Sequence, residues 1–193
     1  MNDVARTQTL NHVPFWFLRH GETDWNAQGL SQGNVDVPLN PTGHAQARSA
    51  AERLRDRGIT TIVSSPLSRA RVTAEIVGDA LGLPVQIDDG LREVRFGVQE
   101  GQPMSDWFPD WMAGRFTPDG AESFAALRHR AVTAVNFATS LPPLVLVVAH
   151  GALFRALRTA MAIEPVLRTP NAVPIWCDPP VAEDGAWTLN YSA

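Results

Sequence analysis

Apolar or β-branched residues gather in short runs at positions 13–18 (VPFWFL), 59–63, 85–87, 144–149 (LVLVVA) and 187–191. Each run is bounded by turn-forming or polar residues, the pattern of a strand. Between them lie segments with helical spacing. Residues 41–57 are rich in Ala and Arg, with Asn40 as N-cap, Pro41 at the first helical position and Gly58 as the stop. Residues 66–81 repeat that grammar, with Ser65 as cap, Pro66 next and Gly82 as terminator. Across 122–140, Phe124, Leu127, Ala131, Ala134, Val135 and Ala138 recur at helical intervals, and 152–163 reads as a further helix. Strands alternating with helices predict an α/β fold: a three-layer α/β/α sandwich around a mostly parallel central sheet.

Two stretches resist this grammar. Residues 99–121 set Trp107, Phe108, Trp111, Met112 and Phe116 among Pro, Gly and Asp, which reads as a short helix packing its aromatics on the core, with a substrate-facing lid as the alternative. Residues 164–186 are Pro-rich and read as loop.

Composition narrows the class. A chain of 193 residues supports one sizeable core, so a single domain over 1–193 is expected, with 1–12 as a flexible extension. That extension lacks the apolar core of a signal peptide, and the run at 144–149 is far too short to span a bilayer, so no membrane partner is expected. Basic and acidic residues are interleaved at a net charge of −4, which leaves no polybasic stripe for nucleic acid. Every basic residue is Arg, so lysine-dependent chemistry is excluded and an anion site must use Arg, His or backbone N–H. The single cysteine, Cys177, has no disulfide or zinc partner, which fits a reducing, cytoplasmic setting.

The candidate chemistry lies where strands stop. VPFWFL ends in Arg19-His20-Gly21 and LVLVVA ends in His150-Gly151. One histidine after a strand is usually satisfied by a carbonyl and purely structural. Two such ends in an open parallel sheet can face one crevice at the carboxyl edge, where ligands bind. Gly after each His would let a ligand approach the backbone, and the helix after Gly151 would aim N–H groups at it. Arg69, in the first turns of the helix after the second strand, would add a guanidinium; a surface ion pair with Glu75 or Asp79 is its alternative. Forked, charge-assisted hydrogen bonding by Arg suits phosphate oxygens, so a phosphoryl group is the ligand that fits. Glu93, in LREVRFGVQEG, is the best-placed proton donor, with Glu22 and Glu100 as rivals that more simply anchor loops.

These residues resemble the histidine phosphatase superfamily, the phosphoglycerate-mutase-like proteins. Arg19-His20-Gly21-Glu22-Thr23 resembles its RHG signature, extended by Trp25-Asn26; Gln32-Gly33 with Asp36-Val37-Pro38-Leu39 resembles the continuation of its phosphate loop. SSPLSRARVTA, LREVRFGVQEG and VAHGALFRAL resemble three further elements, in the right order. The resemblance implies that His20 is the nucleophile, passing through a phosphohistidine. It implies that Arg19, Arg69 and His150 clamp the transferring oxygens, with Asn26, Gln32, Gly33 and the Gly151 N–H assisting. It gives Glu93 the role of acid and then base, which requires it protonated when substrate binds. No metal is implied.

Members of this family include both phosphatases and mutases. Cofactor-dependent mutases typically place Arg after the catalytic Glu and insert further Lys and Arg; here Val94 follows Glu93, and 99–119 contributes only Arg115. PDGAES (118–123) is similar to a stretch common in the phosphatases, with Ala121 departing from it. The expectation is therefore a phosphomonoester hydrolase acting on a small phosphorylated metabolite, without a cofactor. The alternatives are a phosphoglycerate mutase needing 2,3-bisphosphoglycerate, or a non-catalytic phosphate-binding module. Arg92 and Arg95 are candidates for a substrate carboxylate, Trp107 or Trp111 for an apolar substrate portion. Oligomeric state is left open, a homodimer among the options. A dinucleotide-binding domain is excluded, because no G-x-G-x-x-G follows the first strand.

Overall fold

The computed structural model describes residues 9–182 and 185–192. Its centre is a six-stranded sheet of β1 (Phe15–Arg19), β2 (Thr61–Ser64), β3 (Val85–Ile87), β4 (Val145–Ala149), β5 (Ile175–Asp178) and β6 (Thr188–Tyr191), in the order β3-β2-β4-β1-β5-β6. The first four strands are mutually parallel; β5 and β6 add an antiparallel edge. Every residue of β1, β2 and β4 is buried, as strands covered on both faces must be.

Side chains leave the pleat alternately. Phe15, Phe17, Val145, Val147 and Ala149 join the core under α5 (Phe124–Thr139) and α6 (Gly151–Ala160), where Phe17 stacks on Phe154 with centroids 4.0 Å apart. Trp16, Leu18, Leu146 and Val148 pack on the opposite face against Ala50, Ala51 and Leu54 of α2 (Pro41–Leu54) and Ala70, Ala74 and Val77 of α3 (Ser68–Leu81). Burying a Phe or Leu contributes about 1.5–3 kcal/mol, so these two layers hold the sheet between them. The expected α/β/α sandwich is the architecture of the chain.

Local grammar holds in part. Asn40 Oδ1 accepts from Gly43 N at 2.8 Å with Pro41 at the start of α2, and Ser123 Oγ caps α5 at Ala126 N. At α3 the expectation fails: the helix begins at Ser68 after an uncapped Leu67, and Ser65 is not its cap. The Ser65 hydroxyl instead serves the site described below. α3 stops as expected, at Gly82 in the left-handed conformation (φ 68°).

The stretch expected to be loop at 164–186 contains β5, which pairs antiparallel with β1, Trp16 opposite Trp176. The strand is only four residues, IWCD, and is flanked by Pro174 and Pro179, positions proline tolerates at strand ends, so the prolines disguised it. The aromatic stretch forms a single helical turn and a half, α4 (Trp107–Met112), with Phe108 and Trp111 buried against Phe96 and Phe124. This is the core-packing alternative, and Met104 and Phe108 of the same stretch also face the cleft described below. Of the segment expected to be a flexible extension, residues 1–8 lie outside the described residues. Leu10 is buried in the core, and Asn11 N donates to Asn136 Oδ1 of α5 at 2.7 Å. Among the described residues, no helix is long and apolar enough to cross a membrane.

Candidate active site

The strand order makes the two His-Gly ends neighbours. β1 and β4 pair in register with Arg19 opposite Ala149, and His20 N donates to Ala149 O at 3.0 Å, which carries the ladder to the strand tips. On the other side of β4, Ser65 N donates to Val148 O at 3.0 Å, so the exit of β2 joins the same edge. The His20 and His150 rings lie 5.2 Å apart, centroid to centroid.

His20 Nδ1 lies 2.7 Å from Gly21 O. A carbonyl can only accept, so Nδ1 carries the hydrogen and the lone pair resides on Nε2. Burial holds the His20 pKa well below the ordinary imidazole value, and the Arg19 and Arg69 charges push it further down. His150 is fully buried and does not reach the cleft surface; its Nε2 meets Ser65 Oγ at 2.8 Å, while Nδ1 has no protein partner. Burial, followed by the charge of Arg69, likewise holds its pKa well down. Both rings are therefore neutral near pH 7.

Two guanidinium groups flank them. Arg19 Nη1 donates to Thr169 O at 2.7 Å, and Arg69, fully buried, donates from Nη1 to Val35 O and from Nη2 to Gly33 O at 2.8 and 2.7 Å. The surface-pair alternative for Arg69 is thereby contradicted; it is Arg71 that pairs with Glu75. Burial lowers both guanidinium pKa values to about 10, so both remain cations at neutral pH. Each keeps a buried Nε without a hydrogen-bond partner among the described residues.

Glu93 closes the other side. One carboxylate oxygen accepts from Ala152 N at 3.0 Å, the other from Leu153 N at 2.9 Å and Val94 N at 3.0 Å. The first N–H groups of α6 therefore bind Glu93 rather than standing free for a ligand; Gly151 N alone is left to the cleft. Arg130 of α5 holds the segment that carries Glu93, donating to the carbonyls of Gly90 (2.8 Å) and Arg92 (2.7 Å) while pairing with Glu122 at 2.6 Å.

Arg19, His20, Arg69 and Glu93 line one cleft of about 190 Å³, with Asn26, Gln32, Gly33, Gly151, Phe96, Met104, Phe108, Arg155 and Arg168 among its walls. Gln32 is held by Thr23, whose hydroxyl donates to Gln32 Oε1 at 3.0 Å. Asn26 Oδ1 accepts from Thr23 N and from Asn171 Nδ2, and the latter also donates to His20 O at 2.9 Å. Glu22 and Glu100 anchor loops as expected: Glu22 accepts from Asn40, and Glu100 from the N–H groups of Asn34 and Phe96.

Several expectations are corrected. Gly21 does not make room for a ligand: a Cβ there would meet Gly43 O of α2 at 2.4 Å, so the position serves close packing of loop on helix. Arg92 pairs with Asp89, Arg95 donates to Gly120 O, and neither lines the cleft. Trp107 and Trp111 are likewise absent from its walls; Met104 and Phe108 supply the apolar side. Sequence reasoning missed Ser65, Arg130, Asn171, Arg155 and Arg168. Arg155, four residues after Gly151 and thus on the same helix face, was the one with a local signal.

The model of the histidine phosphatase superfamily (branch 1) matches residues 15–171. An uncharacterized phosphatase, PhoE, from Bacillus subtilis is 39% identical over 150 residues, covering 75% of each chain. A probable phosphoglycerate mutase, GpmB, from Yersinia enterocolitica is 39% identical over 163 residues, 78% of this chain and 75% of the relative. A mycobacterial glucosyl-3-phosphoglycerate phosphatase solved with VO3 superposes with a TM-score of 0.77 at 31% identity, over 93% of this chain and 98% of that one. The chain belongs to the histidine phosphatase superfamily and is a phosphoryl-transfer enzyme working through a histidine.

Proposed function

We propose that the chain is a phosphomonoester hydrolase acting on a small phosphorylated metabolite, with His20 as nucleophile. The observation that carries this reading is the state of His20: a neutral ring whose Nδ1 is tied to Gly21 O, leaving Nε2 as the lone-pair nitrogen beside two cations. In the first step Nε2 bonds to phosphorus as the ester P–O bond breaks, and the leaving oxygen takes a proton from Glu93. In the second, Glu93 takes a proton from water, whose oxygen attacks the phosphohistidine and releases inorganic phosphate with His20 restored. Arg19, Arg69, Asn26, Gln32 and the N–H groups of Gly33 and Gly151 would hold the phosphoryl oxygens as charge moves onto them, with His150, buried behind the cleft wall, backing the His20 ring. The whole chain acts as one domain, and a cytoplasmic setting suits Cys177, a buried thiol whose pKa burial raises well above the ordinary value.

Hydrolysis is favoured over mutase action by one wall of the cleft, the segment 99–121. Residues 99–121 contribute Met104 and Phe108 but no cation; Arg115 pairs with Asp110 at the surface, and Val94 is buried. The cations that the resemblance implies for a cofactor-dependent mutase, after the catalytic Glu and in this inserted segment, are not present at either place. The test is phosphate release from sugar phosphates, phosphoglycerates and phosphorylated cofactor precursors beside a coupled mutase assay containing 2,3-bisphosphoglycerate. Phosphate release without isomerisation is expected; dominant isomerisation would select the mutase, and binding without turnover a non-catalytic module.

A further inference from the structure

Four guanidinium groups line the cleft, those of Arg19, Arg69, Arg155 and Arg168, against a single acidic residue, Glu93, in a chain whose overall charge is −4. Arg19 and Arg69 are committed around His20 by their bonds to Thr169, Val35 and Gly33. Arg155 and Arg168 have no hydrogen bond or ion pair to any described residue. Nor does Glu93 serve them: its oxygens are occupied by three backbone N–H groups. A phosphoryl dianion at His20 would still leave the cleft with surplus positive charge.

The Arg155 side chain is set in place, whereas Arg168 is exposed and only the backbone on either side of it is fastened. The Arg155 guanidinium lies over the Phe108 ring, its carbon 4.9 Å from the centroid, and Phe108 is itself buried. Arg168 sits on the loop that Arg158 and Arg19 fasten: Arg158 Nη1 donates to Leu167 O at 2.5 Å and its Nη2 to Tyr191 Oη at 2.6 Å, while Arg19 takes Thr169 O at 2.7 Å. Arg158 is fully buried with no acidic partner among the described residues, and its bonds hold that loop and β6 against α6. Partial burial and the charges of Arg158 and Arg168 lower the Arg155 pKa, although Glu93 opposes them, which marks a cation stabilised by an incoming anion.

Resting on the reading of His20 as the site of the reacting phosphoryl group, we infer that Arg155 and Arg168 form a second anion subsite. The substrate would then carry, besides its phosphomonoester, a carboxylate or a second phosphoryl group. The subsite lies on α6 and the loop before β5, not on the 99–121 segment or on Arg92 and Arg95.

The test compares three ligands that share a three-carbon frame: glycerol 3-phosphate, 3-phosphoglycerate and glycerol 1,3-bisphosphate. Binding is read by calorimetry on His20→Ala, and as competitive inhibition of aryl-phosphate hydrolysis in the unaltered enzyme, so that folding of the variant does not decide the outcome. At least one doubly anionic ligand is expected to bind roughly tenfold or more tightly than glycerol 3-phosphate, and the better one names the second group. Arg155→Ala and Arg168→Ala should each shrink that ratio severalfold, with Arg155→Lys intermediate because it keeps the charge but loses the fork. Equal binding of all three ligands, or a ratio unaltered in both alanine variants, would overturn the subsite. Failure of the native chain to hydrolyse aryl phosphate would count against the hydrolase reading instead, with calorimetry still judging the subsite.

Discussion

At the scale of single residues, the candidate site depends on placing an imidazole where a second proton is disfavoured. His20 is buried beside Arg19 and Arg69, and all three depress its pKa, so the ring is kept unprotonated at pH 7. The Gly21 carbonyl then decides which nitrogen is the nucleophile in the proposed reaction. Glu93 complements it, with both oxygens oriented by backbone N–H groups. If Glu93 protonates the leaving oxygen, Glu93→Gln should lower kcat/KM for alkyl phosphates by about 10²-fold or more. The loss on an aryl phosphate with an acidic leaving group should be much smaller. Equal losses on both, measured side by side, would remove Glu93 from the acid role.

At the scale of elements, the site is assembled by strands and held by helices. β1, β4 and β2 deliver His20, His150 and Ser65 to one edge, and α5 reaches across through Arg130 to fix the turn that carries Glu93. Arg130→Met leaves the carbonyls of Gly90 and Arg92 and the carboxylate of Glu122 without their donor. We expect a stability loss of about 2–3 kcal/mol from these broken bonds. As a positioning residue, Arg130 should also lower kcat more than KM and reproduce the leaving-group dependence of Glu93→Gln. A lowered melting temperature with unchanged leaving-group dependence would reduce Arg130 to a structural role.

What could be read from the sequence follows from the same distinction. His20, Arg69 and His150 sit at strand or helix ends, where local patterns show, and their order along the chain announces a shared edge; Glu93 lies in an irregular segment and showed through the motif around it. Ser65 also showed a local pattern, but a misleading one: its place before Pro66 looks like a cap, and only the pairing of β2 with β4 brings it to His150. Arg130 and Arg168 have no local sign of their partners, because carbonyls 38 and 40 residues away and a loop fastened through Arg158 are products of packing. Arg92 and Arg95 drew notice by standing next to Glu93, yet neighbours in an irregular segment point in different directions. β5 was hidden because its proof lies in β1, not in its own four residues.

At the scale of the whole molecule, the site places a strain on the fold that pH can reveal. His20 and His150 both titrate well below 6.5 when folded, whereas in the unfolded chain they would take up protons near that value. The unfolded state thus binds more protons as pH falls, and stability present above about pH 6.5 is lost on descent toward the folded pKa values. Each histidine contributes a slope of at most about 1.4 kcal/mol per pH unit in that window. The melting temperature in phosphate-free buffer should therefore drop between about pH 6.5 and 5, and inorganic phosphate, by favouring cationic neighbours, should blunt the drop. A flat profile over that window would mean that the buried rings accept protons without penalty.

The claim that joins all three scales is that the phosphoryl group rests on His20 between transfer from the ester and transfer to water. It is tested by mixing the enzyme with an aryl phosphate, quenching during turnover under alkaline conditions that spare phosphoramidates, and mapping the peptides by mass spectrometry. The account predicts the mass of one phosphoryl group on the peptide containing His20 and on no other, absent from His20→Ala. Rapid turnover with His20 unmodified throughout, or the phosphoryl group found on His150 instead, would contradict it.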